Sequence, residues 1–441
     1  MRRGIGPGRK KSFVRLLPAV LGLDPADPSV ALAGDRLDDF VRALPDPRLR
    51  RQLRLLLTVT DGIGTMLHGK PVRDLDDEEL ADLVERVFDS ARDWPDNLLA
   101  LLRKVLGTRI PGLRDVSRAL LELCSIIYYS SPGTAAWTGF VPLWEQPAVL
   151  EAAPREADAH PWLSPDRTRL DVAAITEHLG RGADRSTDDL FAGDGRPRIA
   201  VIGSGASGAV VAARLAATCD VAVFEAGPRM RADQYPTDAL AAQAMLYERA
   251  VLYPTGDLDL RILQARTVGG GTAVNEGVNV RPRGGTLDAW QRGGAGFDRA
   301  ALSRAIDDVE RRQRLRPYAA DVVTTPSERF AEGCRKTPGI RVDRLVSDVA
   351  THADQHLDPR APDILGRACL GCGHCNLGCR FGHHLSVDRT MPIRLSHINL
   401  PRSNRPGAPT SPRTARRRSE PARPLRSPRP SRTRPSARSG G

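Results

Sequence analysis

The chain has 441 residues, 41% of them hydrophobic, with 65 Lys and Arg against 53 Asp and Glu and a formal net charge of +12. That length and apolar content allow two or three domains with a core, and no apolar run reads as a membrane span. The charge is local: residues 401–441 carry twelve Arg, no Lys and a single acid, Glu420, a net +11, which leaves +1 for residues 1–400.

Residues 1–34 are expected to be a flexible N-terminus. Early basic residues are followed by an apolar part that Arg15 and Pro18 interrupt, which argues against a secretion signal. Residues 35–150 read as an α-helical domain. Asp46-Pro47 starts a helix with Pro47 at the first helical position. Leu80, Leu83, Val84, Val87 and Phe88 recur at helical spacing after an acidic start at 74–77. Pro95-Asp96 opens a further segment over 98–106, stopped by Gly107. A fourth, over 115–129, carries Leu120, Leu121, Leu123, Cys124 and Ile127 as an apolar stripe. Cys124 within that stripe reads as core. Tyr128, Tyr129, Trp137 and Trp144 read as core packing, with docking onto a neighbouring domain as the alternative. Residues 151–196 read as a linker rich in Pro, Asp, Arg and Gly, with one short helix over 172–179.

Residues 198–225 read RIAVIGSGASGAVVAARLAATCDVAVFE. An apolar run over 199–202 predicts a buried parallel strand. Gly203, Gly205 and Gly208 follow at G-x-G-x-x-G spacing, a small apolar helix runs over 209–217, and a second apolar run over 221–224 ends in Glu225. Strand, glycine turn, helix, strand and acid in that order form the dinucleotide-binding fingerprint. Gly203 allows the sharp turn, Gly205 lets a pyrophosphate approach backbone amides, and Gly208 brings helix and strand together. Ser204, Ala206 and Ser207 complete the loop. The helix N-terminus supplies unpaired amides and partial positive charge. Glu225 stands where a carboxylate accepts hydrogen bonds from ribose hydroxyls. Arg214 and the three glycines argue against a membrane helix here.

A helical stretch is expected over 238–251. Residues 264–282 then read QARTVGGGTAVNEGVNVRP. Gly269, Gly270 and Gly271 expose consecutive amides that can cradle a phosphate or lie flat on a ring system. Thr272 and Asn275 add short polar groups.

The two loops together resemble the glucose–methanol–choline (GMC) family of FAD-dependent oxidoreductases. The matching residues are Gly203, Gly205, Gly208 and Glu225, then Val268 through Thr272, Val274-Asn275 and Arg281-Pro282. The resemblance implies an α/β fold. Its Rossmann-type FAD-binding domain would occupy residues 197–395, preceded by the all-α region and followed by a disordered basic C-terminal tail. It places the second loop along the pyrophosphate and isoalloxazine, with Asn275 beside the flavin. The N-terminal helices and the later cysteines look most like the long-chain alcohol oxidase or dehydrogenase branch. The implied reaction is oxidation of an alcohol CH–OH group by hydride transfer to flavin, with the electron acceptor left open. The implied location is cytoplasmic, with peripheral membrane association open.

Seven cysteines are present, and Cys369, Cys372, Cys375 and Cys379 have C-x2-C-x2-C-x3-C spacing with Gly371, Gly373 and Gly378 interleaved. That is the spacing of a ferredoxin cluster loop, although no second run exists and Arg380 stands where Pro is usual. An iron–sulfur cluster, plain thiols or a local disulfide, and zinc all stay open. His374, His383 and His384 read as solvated loop residues rather than ligands.

The resemblance stops near Met391-Pro392. Residues 396–441 are expected to be a disordered tail, almost wholly Arg, Pro, Ser, Thr, Ala and Gly from 401 onward. A shifted reading frame is favoured over a nucleic-acid-binding tail, because the change is abrupt and falls within a domain. On that reading the chain is C-terminally truncated, and it lacks the segment that carries the family's catalytic base, so no catalytic residue is assigned. Two rival readings stand beside this one. One is an NAD- or FAD-linked electron-transfer protein with an iron–sulfur cluster. The other is a non-enzymatic nucleotide-binding module with a nucleic-acid-binding tail.

Overall fold

Residues 2–88, 113–134, 138–152, 160–180, 195–251, 260–318, 323–343, 346–347, 349 and 369–391 are described by a computed structural model of the chain. The expected helix over 98–106, Trp137 and the 396–441 tail lie outside these residues.

Helices fill the first part of the described chain. They are α1 (Pro7–Leu21), α2 (Pro28–Ala43), α3 (Pro47–His68), α4 (Asp77–Phe88) and α5 (Leu113–Tyr129). The starts follow from sequence. Asp27 and Asp46 accept hydrogen bonds from the amides of Ser29 and Arg48, each with a proline at the first helical position. Leu80, Leu83 and Val87 of α4, and Leu120, Leu123, Cys124 and Ile127 of α5, are buried as their spacing requires, while Leu121 is 41% exposed and lies off the stripe.

The flexible N-terminus expected over 1–34 is not what forms. Helix α1 buries Phe13, Leu16 and Leu17, and Ile5 ahead of it is fully buried, its amide donating to Asp38 Oδ1. Pro18 lies inside the helix and withholds one amide from an i−4 carbonyl, and its own burial with Leu16 and Leu17 accompanies that loss. Arg15 reaches the carbonyl of Leu75 and pairs with Asp77. The two residues that argued against a secretion signal sit in the last turn of the helix and at a tertiary contact.

The stretch expected as a linker is also stitched into the core. Short helices α6 (Pro147–Ala152) and α7 (Val172–Gly180) belong here. Trp162, Leu163, Leu170 and Ile175 are buried, Trp162 Nε1–H donates to the Gln234 carbonyl at 2.7 Å, and Arg169 grips Asp39 through two bonds of 2.7 and 2.8 Å. A few apolar anchors outweigh a polar average composition.

Strands β1 (Arg198–Ile202) and β2 (Asp220–Phe224) are parallel, with Arg198 opposite Asp220 and Ile202 opposite Phe224. Helix α8 (Ala206–Leu215) connects them and buries Ala209 and Ala212. This single parallel βαβ unit is what the described residues contain of the expected Rossmann-type sheet. The expectation that 199–202 is buried needs correction: only Val201 is buried, and Ile202 is 79% exposed. Among the described residues β1 has one neighbour, β2, and so keeps an open edge. After β2 come α9 (Ala239–Leu246), β3 (Val278–Asn279), α10 (Gly284–Arg292), α11 (Arg299–Arg312), β4 (Arg316–Pro317), α12 (Thr325–Arg335), β5 (Val346–Ser347) and α13 (Val387–Thr390). The three short strands form an antiparallel sheet in the order β3-β5-β4. The helix expected over 238–251 ends at Leu246, since Arg249, Ala250 and Val251 all turn at positive φ.

One buried ion pair ties the helical part to the rest. Arg36 of α2 is fully buried and donates to Asp238 Oδ2 at 2.7 Å, to Ser130 O at 2.8 Å and to Thr168 O at 3.0 Å. Asp238 uses its other oxygen to cap α9 through the amides of Leu240 and Ala241. The same apolar cluster that holds α1–α5 continues through α9 to Ala273 and Val274. The second glycine loop therefore stands on the helical core.

Candidate functional site

The first loop leaves β1 at Gly203, which adopts φ 92° and donates its amide to the Phe224 carbonyl at 2.7 Å. That left-handed turn suits glycine. Gly205 caps α8, and the first helical bond runs from Ala209 N to Gly205 O at 2.9 Å. The amides of Ala206, Ser207 and Gly208 precede that bond and point along the helix axis toward whatever lies beyond the N-terminus. At Gly208 a β-carbon would sit 2.0 Å from the Gly203 carbonyl oxygen, so helix and turn meet backbone to backbone.

The second loop turns at Gly269, φ 86°, and runs through a short 3₁₀ turn over Gly270–Ala273. Val268 is buried, and its amide donates to Pro228 O at 3.0 Å. Thr272 Oγ1 donates to Gly269 O at 2.7 Å and accepts from Val387 N at 3.1 Å. Asn275 Oδ1 accepts from the Gly277 amide at 2.8 Å.

The structure brings these two loops together. A β-carbon on Gly270 would lie 2.6 Å from the Gly205 α-carbon, so this approach requires glycine at 270. Ser204 joins them: its amide and hydroxyl donate to Glu225 Oε2 at 3.0 and 2.7 Å, and its oxygen accepts the Gly269 amide at 3.1 Å. Glu225 Oε1 accepts the Gly227 amide at 2.9 Å. The acid at the end of β2 thus braces both loops from a nearly buried position, 8% exposed. Sequence reasoning gave Glu225 a role toward a ligand and missed this bracing role. It also missed Asp388, whose carboxylate would meet a β-carbon on Gly269 at 2.6 Å, and Gly227, where a β-carbon would strike the Arg266 carbonyl at 2.1 Å. The Glu-Ala-Gly order after β2 was the available signal for Gly227; nothing near Asp388 in the sequence marked it.

The cysteine run lies against the second loop. Tyr247 places its hydroxyl 3.1 Å from Val274 O and 2.6 Å from Asn376 O, and Asn376 Nδ2 donates to Glu276 Oε1 at 3.2 Å. Burial, and secondarily Glu276, push the Tyr247 phenol up to about 12. Cys369, Cys372, Cys375 and Cys379 line a cavity of about 20 Å³, room for roughly one water molecule. Among the described residues no three His, Cys, Asp or Glu side chains are arranged to hold a metal ion, and none of the seven cysteines forms a disulfide. The expected iron–sulfur or zinc site on this run finds no support in the described residues. Cys372 and Cys379 pack instead on Leu143, Val149 and Phe381, and burial drives the Cys372 thiol up to about 12, helped by Cys379. Cys379 Sγ accepts the His383 amide at 3.2 Å. His383 and His384, expected to be solvated, are each 2% exposed, and Arg380 is buried with Nη1 donating to Tyr235 O at 2.8 Å.

Residues 201–395 match the GMC oxidoreductase family model. An uncharacterised GMC-type oxidoreductase of Mycobacterium tuberculosis is 30% identical over 238 residues, covering 49% of this chain and 34% of that protein. A long-chain-alcohol oxidase of Arabidopsis thaliana is 28% identical over 231 residues, covering 50% of this chain and 27% of that protein. The matched part spans about a third or less of the length of these relatives. No solved structure matches the chain. No helix among the described residues is long and apolar enough to cross a membrane. The segment that carries both glycine loops and the cysteine run is similar to GMC oxidoreductases, by the family model and by these relatives.

Proposed function

We propose that residues 203–208 and 268–275 hold FAD and that the protein oxidises an alcohol at its CH–OH carbon. The observation that carries this reading is the pair of glycine loops held together by Ser204 and Glu225 ahead of the α8 N-terminus. The residues fit the group. The amides of Ala206–Gly208 offer donors to a pyrophosphate. A β-carbon at Gly271 would meet nothing within 4 Å, so the second loop presents bare backbone to open space. Glu225 Oε1 accepts one amide and retains a lone pair for a ribose hydroxyl. Asn275, with Oδ1 held by Gly277, keeps its amide N–H groups for the ring edge. Bound FAD would supply the hydride acceptor. The name of the Arabidopsis relative motivates long-chain alcohols as the substrate class. None of the described residues is assigned as the proton acceptor.

The test is flavin content. Purified protein, heat-denatured, is expected to release FAD identified by its absorbance and mass. Gly205→Val adds a side chain whose β-carbon meets only Gly270, at 3.6 Å, and Gly271→Val points into open space, so both variants should fold. Both are expected to lose flavin. Colourless wild-type protein, or variants that retain full flavin, would sink the reading.

A further inference from the structure

A second cavity, of about 320 Å³, lies away from the glycine loops; no residue of either loop lines it. The chain end of the helical region forms one wall with Phe140, Leu143 and Trp144. Leu163 forms another, and the cysteine run contributes His374 and Leu377. The volume sits at the lower end of small-molecule sites, about 300–1,000 Å³, and is too small for a dinucleotide. The walls are mainly apolar. Asp238 at the base is already bound to Arg36, and Arg167 is likewise engaged.

His374 is the exception. Both its ring nitrogens are buried, and neither has a hydrogen-bond partner. Its nearest ring neighbour is Phe140, with centroids 6.2 Å apart. Burial lowers its pKa, so the imidazole is neutral, with one donor and one acceptor nitrogen. A buried polar group left unpaired costs about 1–3 kcal/mol, and a group of this kind at a cavity wall marks where a ligand's polar atom belongs.

We infer that this cavity binds an uncharged, mainly apolar small molecule whose single hydroxyl or amide group hydrogen-bonds to His374. The site does not depend on the cofactor reading. It does touch it: Leu377 follows Asn376, which Tyr247 ties to Val274 of the second glycine loop.

The experiment titrates the full chain with N-phenyl-1-naphthylamine, an uncharged fluorescent probe with one N–H group. Saturable binding at one site per chain is expected, displaced by 1-decanol and not by decanoate or decylammonium. His374→Phe is expected to weaken 1-decanol about tenfold, the size of one net hydrogen bond, while His374→Gln retains most of the affinity. Thr138→Trp, at an exposed position on the rim, should block the probe with no change in melting temperature. Absence of saturable binding overturns the proposal, as does equal affinity of wild type, His374→Phe and Thr138→Trp. Displacement by decanoate as strong as by 1-decanol overturns the uncharged assignment.

Discussion

The glycine loops and the cysteine run are both loops turned by closely spaced glycines, and they use the space inside those turns in opposite ways. In the glycine loops backbone meets backbone. Gly205 and Gly270 touch with no side chain between them, and the α8 amides face outward. In the cysteine run the side chains turn inward. Cys372 and Cys379 fill an apolar pocket against Leu143 and Phe381, and the space left over holds about one water. A phosphate site needs a row of donors with room before them, and the amides of the first arrangement have it, whereas the four thiols of the second do not. The second spends its side chains on packing.

The sharpest way to break that contrast is to give the glycine loops a side chain. Gly208→Val places a β-carbon 2.0 Å from a backbone carbonyl that cannot rotate away. The variant is expected to lose more than about 3 kcal/mol, at or above the upper end of overpacking costs, read as a collapse in folded yield or melting temperature. A folded Gly208→Val protein of wild-type stability would mean that the helix does not approach the turn this closely.

The glycine loops were legible in the amino-acid order because spacing, strand, helix and acid all constrain one backbone path. What the sequence hid was the tie between the loops. Ser204 and Gly269 are 65 positions apart, and nothing local announces that a serine hydroxyl will bridge Glu225 to a distant amide. The cysteine run shows the converse limit of spacing. Its spacing constrains four thiols along the chain and says nothing of Leu143 and Val149, more than two hundred residues earlier, which compete for the same side chains. Helix α1 went unread in the sequence, although Phe13, Leu16 and Leu17 stand at helical spacing and are buried.

Ser204→Ala tests that tie at a smaller cost. It removes the acceptor of the Gly269 amide and one donor to Glu225 in a buried place. About 1–3 kcal/mol should be lost, measured by denaturant midpoint, together with weaker flavin retention. An unchanged midpoint would show that the two loops hold together without it.

The cysteine run makes its own prediction through pH. Burial raises Cys372 from 9.0 to about 12, and Cys124 in α5 likewise to about 12. A thiol whose folded pKa lies above its unfolded value stabilises the fold fully below pH 9. That contribution declines as the pH climbs toward 12, because the unfolded chain ionises first. Tyr247, raised from 10.0 to about 12, adds to the upper part of the same window. Unfolding midpoints should therefore fall between pH 9 and 12, and Cys372→Ala should flatten part of the fall. An unaltered slope in that variant would place the Cys372 thiol in water.

The smallest effect expected is none, and it separates the two loops most cleanly. If the cysteine run packs rather than ligates, a strong chelator should leave the melting temperature and thiol count unchanged. Iron and sulfide added under reducing conditions should leave no visible absorbance beyond that of flavin. A cluster needs thiolates converging around iron and sulfide. A cavity of about 20 Å³ leaves room for about one water between the four thiols. A drop of several degrees on chelation, or a stable brown product on reconstitution, would mean that this loop opens to admit a metal, and that its difference from the glycine loops is one of conformation rather than of construction.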